Sequence, residues 1–263
     1  MNVSADLGDV VLNCRVDGPE DADWIILSNS LGADLTMWNE QIAFLTSRYR
    51  VLRYDTRGHG RSETARGPVS FSHLTADVIR LMDRFDIETS AFMGLSMGGM
   101  TGLGLAINHA DRLSKIVCAD GRADAPPPFR TMWDERIAKV ENGGLEAIVD
   151  GTLDSWLTEA WRDANPERLA EIRQMVLSND PKGYIACCQA LKGLDYLRQL
   201  GNAKTPVLFV GGSLDKGAAP ETMQAMADAT PGGTYVMVPD AAHVANINAP
   251  TAFNAAITGF LGL

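Results

Sequence analysis

Apolar positions along the chain follow two rhythms that take turns. VVLNCRV (10–16) alternates loosely and WIILSN (24–29) is a short apolar run ended by a loop, as two strands would be. MWNEQIAFLTSRY (37–49) then spaces Trp38, Ile42 and Leu45 at helical intervals, and RVLRYD (50–55) returns to strand. The exchange continues with FSHLTADVIRLMDRF (71–85) as helix, SAFMG (90–94) as strand, MGGMTGLGLAINH (97–109) as helix and LSKIVCAD (113–120) as strand. Alternation of this kind predicts a mostly parallel central sheet with helices on both faces, an α/β architecture.

Past Asp120 the strand rhythm stops for about eighty residues. Helix starts recur there instead, at Asn165-Pro166-Glu167 and Asp180-Pro181, where a capping side chain precedes a proline that the first helical position tolerates. An inserted helical cap over 122–200 is expected, between core segments 1–121 and 201–263. The alternation resumes with TPVLFVGG (205–212), ETMQAMADA (221–229), GTYVMVPD (233–240) and PTAFNAAITGFL (250–261) as strand, helix, strand and helix.

Composition changes this picture little but excludes several functions. A chain of 263 residues with net charge −10 and no lysine or arginine stripe repels nucleic acid and anionic membranes on average, so neither is an expected partner. No apolar run reaches eighteen residues and MNVSADLGDV lacks a signal-like basic and apolar segment, so a soluble, cytoplasmic protein is expected. Cys14, Cys118, Cys187 and Cys188 have neither metal-ligand spacing nor disulfide-scaffold density, and buried thiols are expected.

The candidate chemistry lies in MGLSMGGM (93–100), where a serine stands between glycines at a strand-to-helix junction. The plain reading is a tight turn. The sharper one is a nucleophile elbow, Gly94-Leu95-Ser96-Met97-Gly98, and the flanking strand and helix favour it. Ser96 would need a base, and an imidazole titrating near 6–7 suits. Of four histidines, His73 and His109 fall in or at the end of helices and His59 in a glycine-rich loop, whereas His243 follows the final strand on the sheet edge of Ser96. Asp215, at the end of the preceding strand, is the favoured acid to orient His243, with Asp120 its rival. The backbone N–H groups of Met97 and Leu31 are the expected oxyanion donors.

Four stretches, NSLGADLTMW (29–38), YDTRGHGRS (54–62), GLSMGGMTG (94–102) and DAAHVANINAPTAF (240–253), together resemble the α/β-hydrolase superfamily, whose order of nucleophile, acid and histidine matches Ser96, Asp215, His243. More narrowly they resemble the 3-oxoadipate enol-lactonases of aromatic-compound degradation. The resemblance implies an α/β-hydrolase fold with a cap, a small anionic lactone as substrate, an acyl-enzyme on Ser96, and no metal or organic cofactor. Such a lactone carries a free carboxylate, which an acidic chain must meet with a local cation. In FRTMWDERIAK (129–139), Trp133 and Arg136 share a helical face and are the expected substrate-binding pair. The plain alternatives are a cap-core tryptophan and a solvated arginine, with Arg130 or Arg57 as other partners. Rival activities are C–C bond hydrolysis of ring-fission products and a broad esterase or perhydrolase; a non-catalytic receptor on the same fold is the rival outside enzymes. Oligomeric state is not legible.

Overall fold

The computed structural model describes residues 2–64 and 66–263. Strands β1 (Asn2–Asp6), β2 (Val11–Asp17) and β3 (Asp23–Ser28) precede helix α1 (Asn39–Leu45). There follow β4 (Tyr49–Tyr54), α2 (Phe71–Arg84), β5 (Ser90–Leu95), α3 (Met97–Asn108) and β6 (Leu113–Ala119). The order across the single eight-stranded sheet is β1-β2-β4-β3-β5-β6 and then β7 (Val207–Gly212) and β8 (Thr234–Val238). β1 and β2 run antiparallel to their neighbours and every other pairing is parallel.

Every residue of β5 and β7 is buried, as expected for strands covered on both faces. On one face lie α1 and α11 (Pro250–Leu261), which bring Leu45, Phe253 and Ile257 against Ile25, Met93 and Val210. On the other, α2, α3 and α9 (Pro220–Ala229) set Val78, Leu103 and Met223 against Ile26, Phe92 and Phe209. The alternation of in- and out-pointing positions along each strand therefore builds two separate apolar layers.

Between β6 and β7 the chain forms α4 (Pro127–Gly143), α5 (Glu146–Trp156), α6 (Glu159–Ala164), α7 (Pro166–Leu177) and α8 (Pro181–Lys192). α7 and α8 start at the two prolines read as helix starts. A third cluster joins Ile137, Val140, Tyr184 and Leu191 of α4 and α8 to Leu31, Met97 and Met100 of the sheet side, so these helices sit above the C-terminal end of the strands. Several elements differ from expectation, two of them beside the site. The stretch 37–49 begins as a 3₁₀ turn, Leu35–Trp38, capped by Asp34, whose side chain accepts from Thr36 N at 2.8 Å. A four-residue helix, α10 (Ala245–Asn248), begins two residues after His243.

The four cysteines are buried and free. Burial pushes the Cys14 and Cys187 thiols up to about 12, and raises those of Cys118 and Cys188 further. No helix among the described residues is long and apolar enough to cross a membrane.

Candidate active site

Ser96 occupies the turn between β5 and α3 with φ 55 and ψ −115, a backbone conformation that costs energy for any residue with a Cβ. The surrounding glycines make the turn feasible. A Cβ on Gly94 would lie 2.2 Å from the Gly98 carbonyl carbon, and one on Gly98 would lie 2.2 Å from the Ser28 carbonyl oxygen, so strand, turn and helix pack at backbone contact. Ser96 N donates to Ala119 O at 2.8 Å, which ties the turn to β6.

Three expected residues meet. Ser96 Oγ is 2.9 Å from His243 Nε2, and His243 Nδ1 is 2.8 Å from Asp215 Oδ2. Asp215 is buried, and its other oxygen accepts from Gly217 N at 2.7 Å. Burial works against its charge, but the His243 charge and these hydrogen bonds hold its carboxyl below the ordinary range. Burial likewise disfavours the His243 imidazolium, yet the Asp215 charge, its hydrogen bond and the Asp120 charge outweigh it and push the ring up to about 9, with Arg136 opposing. That lies above the roughly 6–7 expected from an ordinary imidazole, chiefly because the Asp215 carboxylate is bonded to the ring.

Asp120 does not touch His243. Its Oδ1 accepts from Gly212 N at 2.8 Å and its Oδ2 from Ala245 N at 3.4 Å, so it joins the ends of β6 and β7 to the helix behind His243. Burial and the neighbouring Asp215 charge raise its carboxyl well above the ordinary range. The other histidines serve locally. His73 shares a capping box with Ser70, and His109 ends α3. His59 is fully buried and held down at about 4 by that burial.

The loop after β3 brings Leu31 to the cavity wall. Asn29 braces it: its Oδ1 accepts from Trp38 Nε1 at 3.0 Å, its Nδ2 donates to Tyr54 O at 2.8 Å, and its carbonyl accepts from Gly98 N at 3.1 Å. The spacing in NSLGADLTMW is therefore a framework that fixes this loop against the Ser96 helix. Met97 is the first residue of α3, where N–H groups have no partner within the helix.

A cavity of about 900 Å³ opens over Ser96 and His243, with residues of α4, α5 and α8 on its far wall. Trp133 and Arg136 both line it, and the guanidinium lies 5.7 Å from the indole ring centre. Arg136 Nε donates to Tyr184 Oη at 2.6 Å and Nη2 donates to Thr152 Oγ1. Among the described residues it has no carboxylate within 4 Å, whereas Arg57 is committed to buried Asp77 at 2.5 Å and Arg130 to the Ala125 carbonyl at 2.6 Å. Tyr184 and Thr152 went unforeseen because they come from helices 48 and 16 residues away in sequence, and only packing brings them to Arg136.

A parallel sheet carrying a serine elbow, a histidine and an aspartate at one edge defines a hydrolase class, and the chain belongs to the α/β-hydrolase fold family, whose model matches residues 23–250. Within that family it is similar to the enol-lactonase from Burkholderia xenovorans LB400, at 39% identity and TM-score 0.95 over 99% of this chain and all of that one. It is also similar to 3-oxoadipate enol-lactonase 2 of Acinetobacter baylyi, 35% identical over 254 residues, 95% of this chain and 92% of the relative. A relative from Caulobacter sp. (strain K31), 34% identical over 248 residues (93% and 92%), is provisionally named a carbamate hydrolase.

Proposed function

We propose that the chain hydrolyses 3-oxoadipate enol-lactone through an acyl-enzyme on Ser96. The observation that carries the reading is the Ser96–His243–Asp215 relay under a cavity whose wall holds Arg136 with no carboxylate partner. Neutral His243 takes the Ser96 proton as Oγ adds to the lactone carbonyl, and the N–H groups of Leu31 and Met97 receive the oxyanion. Collapse breaks the carbonyl carbon–ring oxygen bond and expels an enolate, which takes the proton held by His243 and becomes the ketone; His243, neutral again, then activates water against the acyl-enzyme. Residues 122–200 form the cap that closes the site over core segments 1–121 and 201–263. The substrate carboxylate pairs with Arg136, and the Trp133 ring, 5.7 Å from the guanidinium, walls that side of the cavity.

The test is a comparison of kcat/KM on the enol-lactone, a carbamate, a ring-fission diketone and a neutral aryl ester. The lactone should lead by about a hundredfold or more, which corresponds to roughly 2.7 kcal/mol of transition-state discrimination. A lead for the carbamate or the diketone would overturn the assignment.

Two further outcomes are expected. Arg136→Met should raise KM for the carboxylated lactone by about tenfold or more while leaving a neutral ester within about threefold, since a hydrogen bond to a charged group contributes about 1.5–3 kcal/mol. Equal losses on both substrates would assign Arg136 to holding Tyr184 and Thr152 in place. The second concerns pH. His243 must be neutral to accept a proton, so kcat/KM falls as pH drops through its pKa, and the upward shift places that limb above the ordinary histidine value of about 6.5. Asp215→Asn should move the limb down, as residual activity followed across about pH 5–10 would record.

A further inference from the structure

The cavity is larger than a compact lactone requires. Its 900 Å³ lies near the upper end of what drug-sized ligands fill, whereas an enol-lactone of this type has only about ten non-hydrogen atoms. The surplus is not uniformly polar. Two of the large hydrophobic side chains that are exposed on the described surface, Met132 at 43% and Leu214 at 53%, line this cavity. They stand on different walls: Met132 on α4 of the cap, one residue before Trp133, and Leu214 on the sheet side, one residue before Asp215. Phe129, one helical turn before Met132, packs edge-on against Trp133 at 5.6 Å, so an apolar band runs from the Arg136 side of the cavity outward along α4. Arg122 covers the Phe129 ring at 4.4 Å and is paired with Asp124, so it adds no free cation to that band. Lys216, on the sheet side, is exposed at the same mouth.

We propose that the site also hydrolyses monoesters of short dicarboxylic acids whose alcohol part is an extended apolar chain. The free carboxylate of the acyl part pairs with Arg136, the ester carbonyl lies at Ser96, and the alkoxy chain runs outward between Met132 and Leu214. This inference rests on the serine-hydrolase reading above and extends its substrate class. A lactone keeps its leaving oxygen tethered to the acyl group, but an acyclic ester must release a separate alcohol, and an open apolar mouth suits that departure. The Ser96 Oγ–carbonyl carbon bond forms as the hydroxyl proton passes to His243 Nε2. The carbonyl carbon–alkoxy oxygen bond then breaks as His243 returns that proton to the departing oxygen, and the alcohol leaves. Water then adds to the acyl carbon as His243 takes its proton, and the carbonyl carbon–Ser96 Oγ bond breaks as that proton passes to Oγ, which frees Ser96 and the dicarboxylate.

The experiment uses the full chain and the monoalkyl glutarates from ethyl to octyl, with alcohol release as the readout. kcat/KM should climb about twofold per methylene up to roughly hexyl, half of what complete burial of each methylene would provide. The double variant Met132→Ser/Leu214→Ser should flatten that climb, whatever its rate on the ethyl ester. Hexyl butanoate, which has the chain but no carboxylate, should be at least about tenfold poorer than monohexyl glutarate. A flat series in the wild type, a slope that survives the double variant, or equal rates on the charged and neutral hexyl esters each overturns the proposal. If the wild type turns over the enol-lactone while the ester series is flat, this extension alone falls. If it turns over neither and a fluorophosphonate fails to label Ser96, the underlying reading falls as well.

Discussion

Ser96→Ala is expected to lower kcat by about a millionfold on the enol-lactone and on any ester the site accepts, because the relay acts as a unit and only binding and oxyanion contacts remain without it. The fold should survive. Alanine keeps the Cβ and the backbone of the turn, and the hydroxyl makes one described hydrogen bond, to His243. Thermal unfolding should therefore shift by no more than a few degrees, roughly the effect of 1 kcal/mol in a chain of this size. Mass spectrometry of protein treated with a fluorophosphonate should find one adduct, on the peptide carrying Ser96, and none on the alanine variant. Substantial turnover by Ser96→Ala, or an adduct elsewhere, would remove Ser96 from the chemistry.

The second large effect separates two aspartates. Asp215→Asn should cost about 10⁴ in kcat, because the amide can present an N–H to His243 Nδ1 and so impose the wrong tautomer on the ring. Asp120→Asn should cost about tenfold or less. Its oxygens accept from the backbone N–H groups of Gly212 and Ala245, one of which an amide oxygen still satisfies, and neither contact reaches the imidazole. The two single variants, compared at the pH optimum of each, decide the matter. If Asp120→Asn proves the more damaging, the acid of the relay stands at the end of β6 and not of β7.

What could be read in advance follows from where each element's signal originates. β5 and β7 were legible because strands buried on both faces are short apolar runs, and α2 because Leu74, Val78 and Leu81 repeat at helical spacing on its buried side. β1 was not. NVSAD is largely polar, and only Ala5 among its residues is fully buried, since an antiparallel edge strand needs few apolar contacts. Part of α4 was expected as a cap helix over FRTMWDERIAK, but α5 has no side-chain cap, so nothing in the residues announced its start at Glu146. The Ser96, Asp215 and His243 cluster was legible because each follows a strand at the same edge, so topology alone brings them together. The hold of Tyr184 and Thr152 on Arg136 depends on how α4, α5 and α8 pack, which local periodicity does not encode. The raised pKa of His243 has the same origin, since Asp215 is brought to its ring only through the fold.

The four buried cysteines make the native protein nearly silent toward thiol chemistry. Alkylation needs a thiolate and access to it, and burial denies both while the chain is folded. A maleimide should therefore leave the folded protein unmodified at neutral pH and react with all four residues after denaturation. One new cysteine in place of exposed Lys216 would then be the single reactive thiol, and a fluorophore attached there would report on events at the cavity mouth without any native cysteine having to be removed.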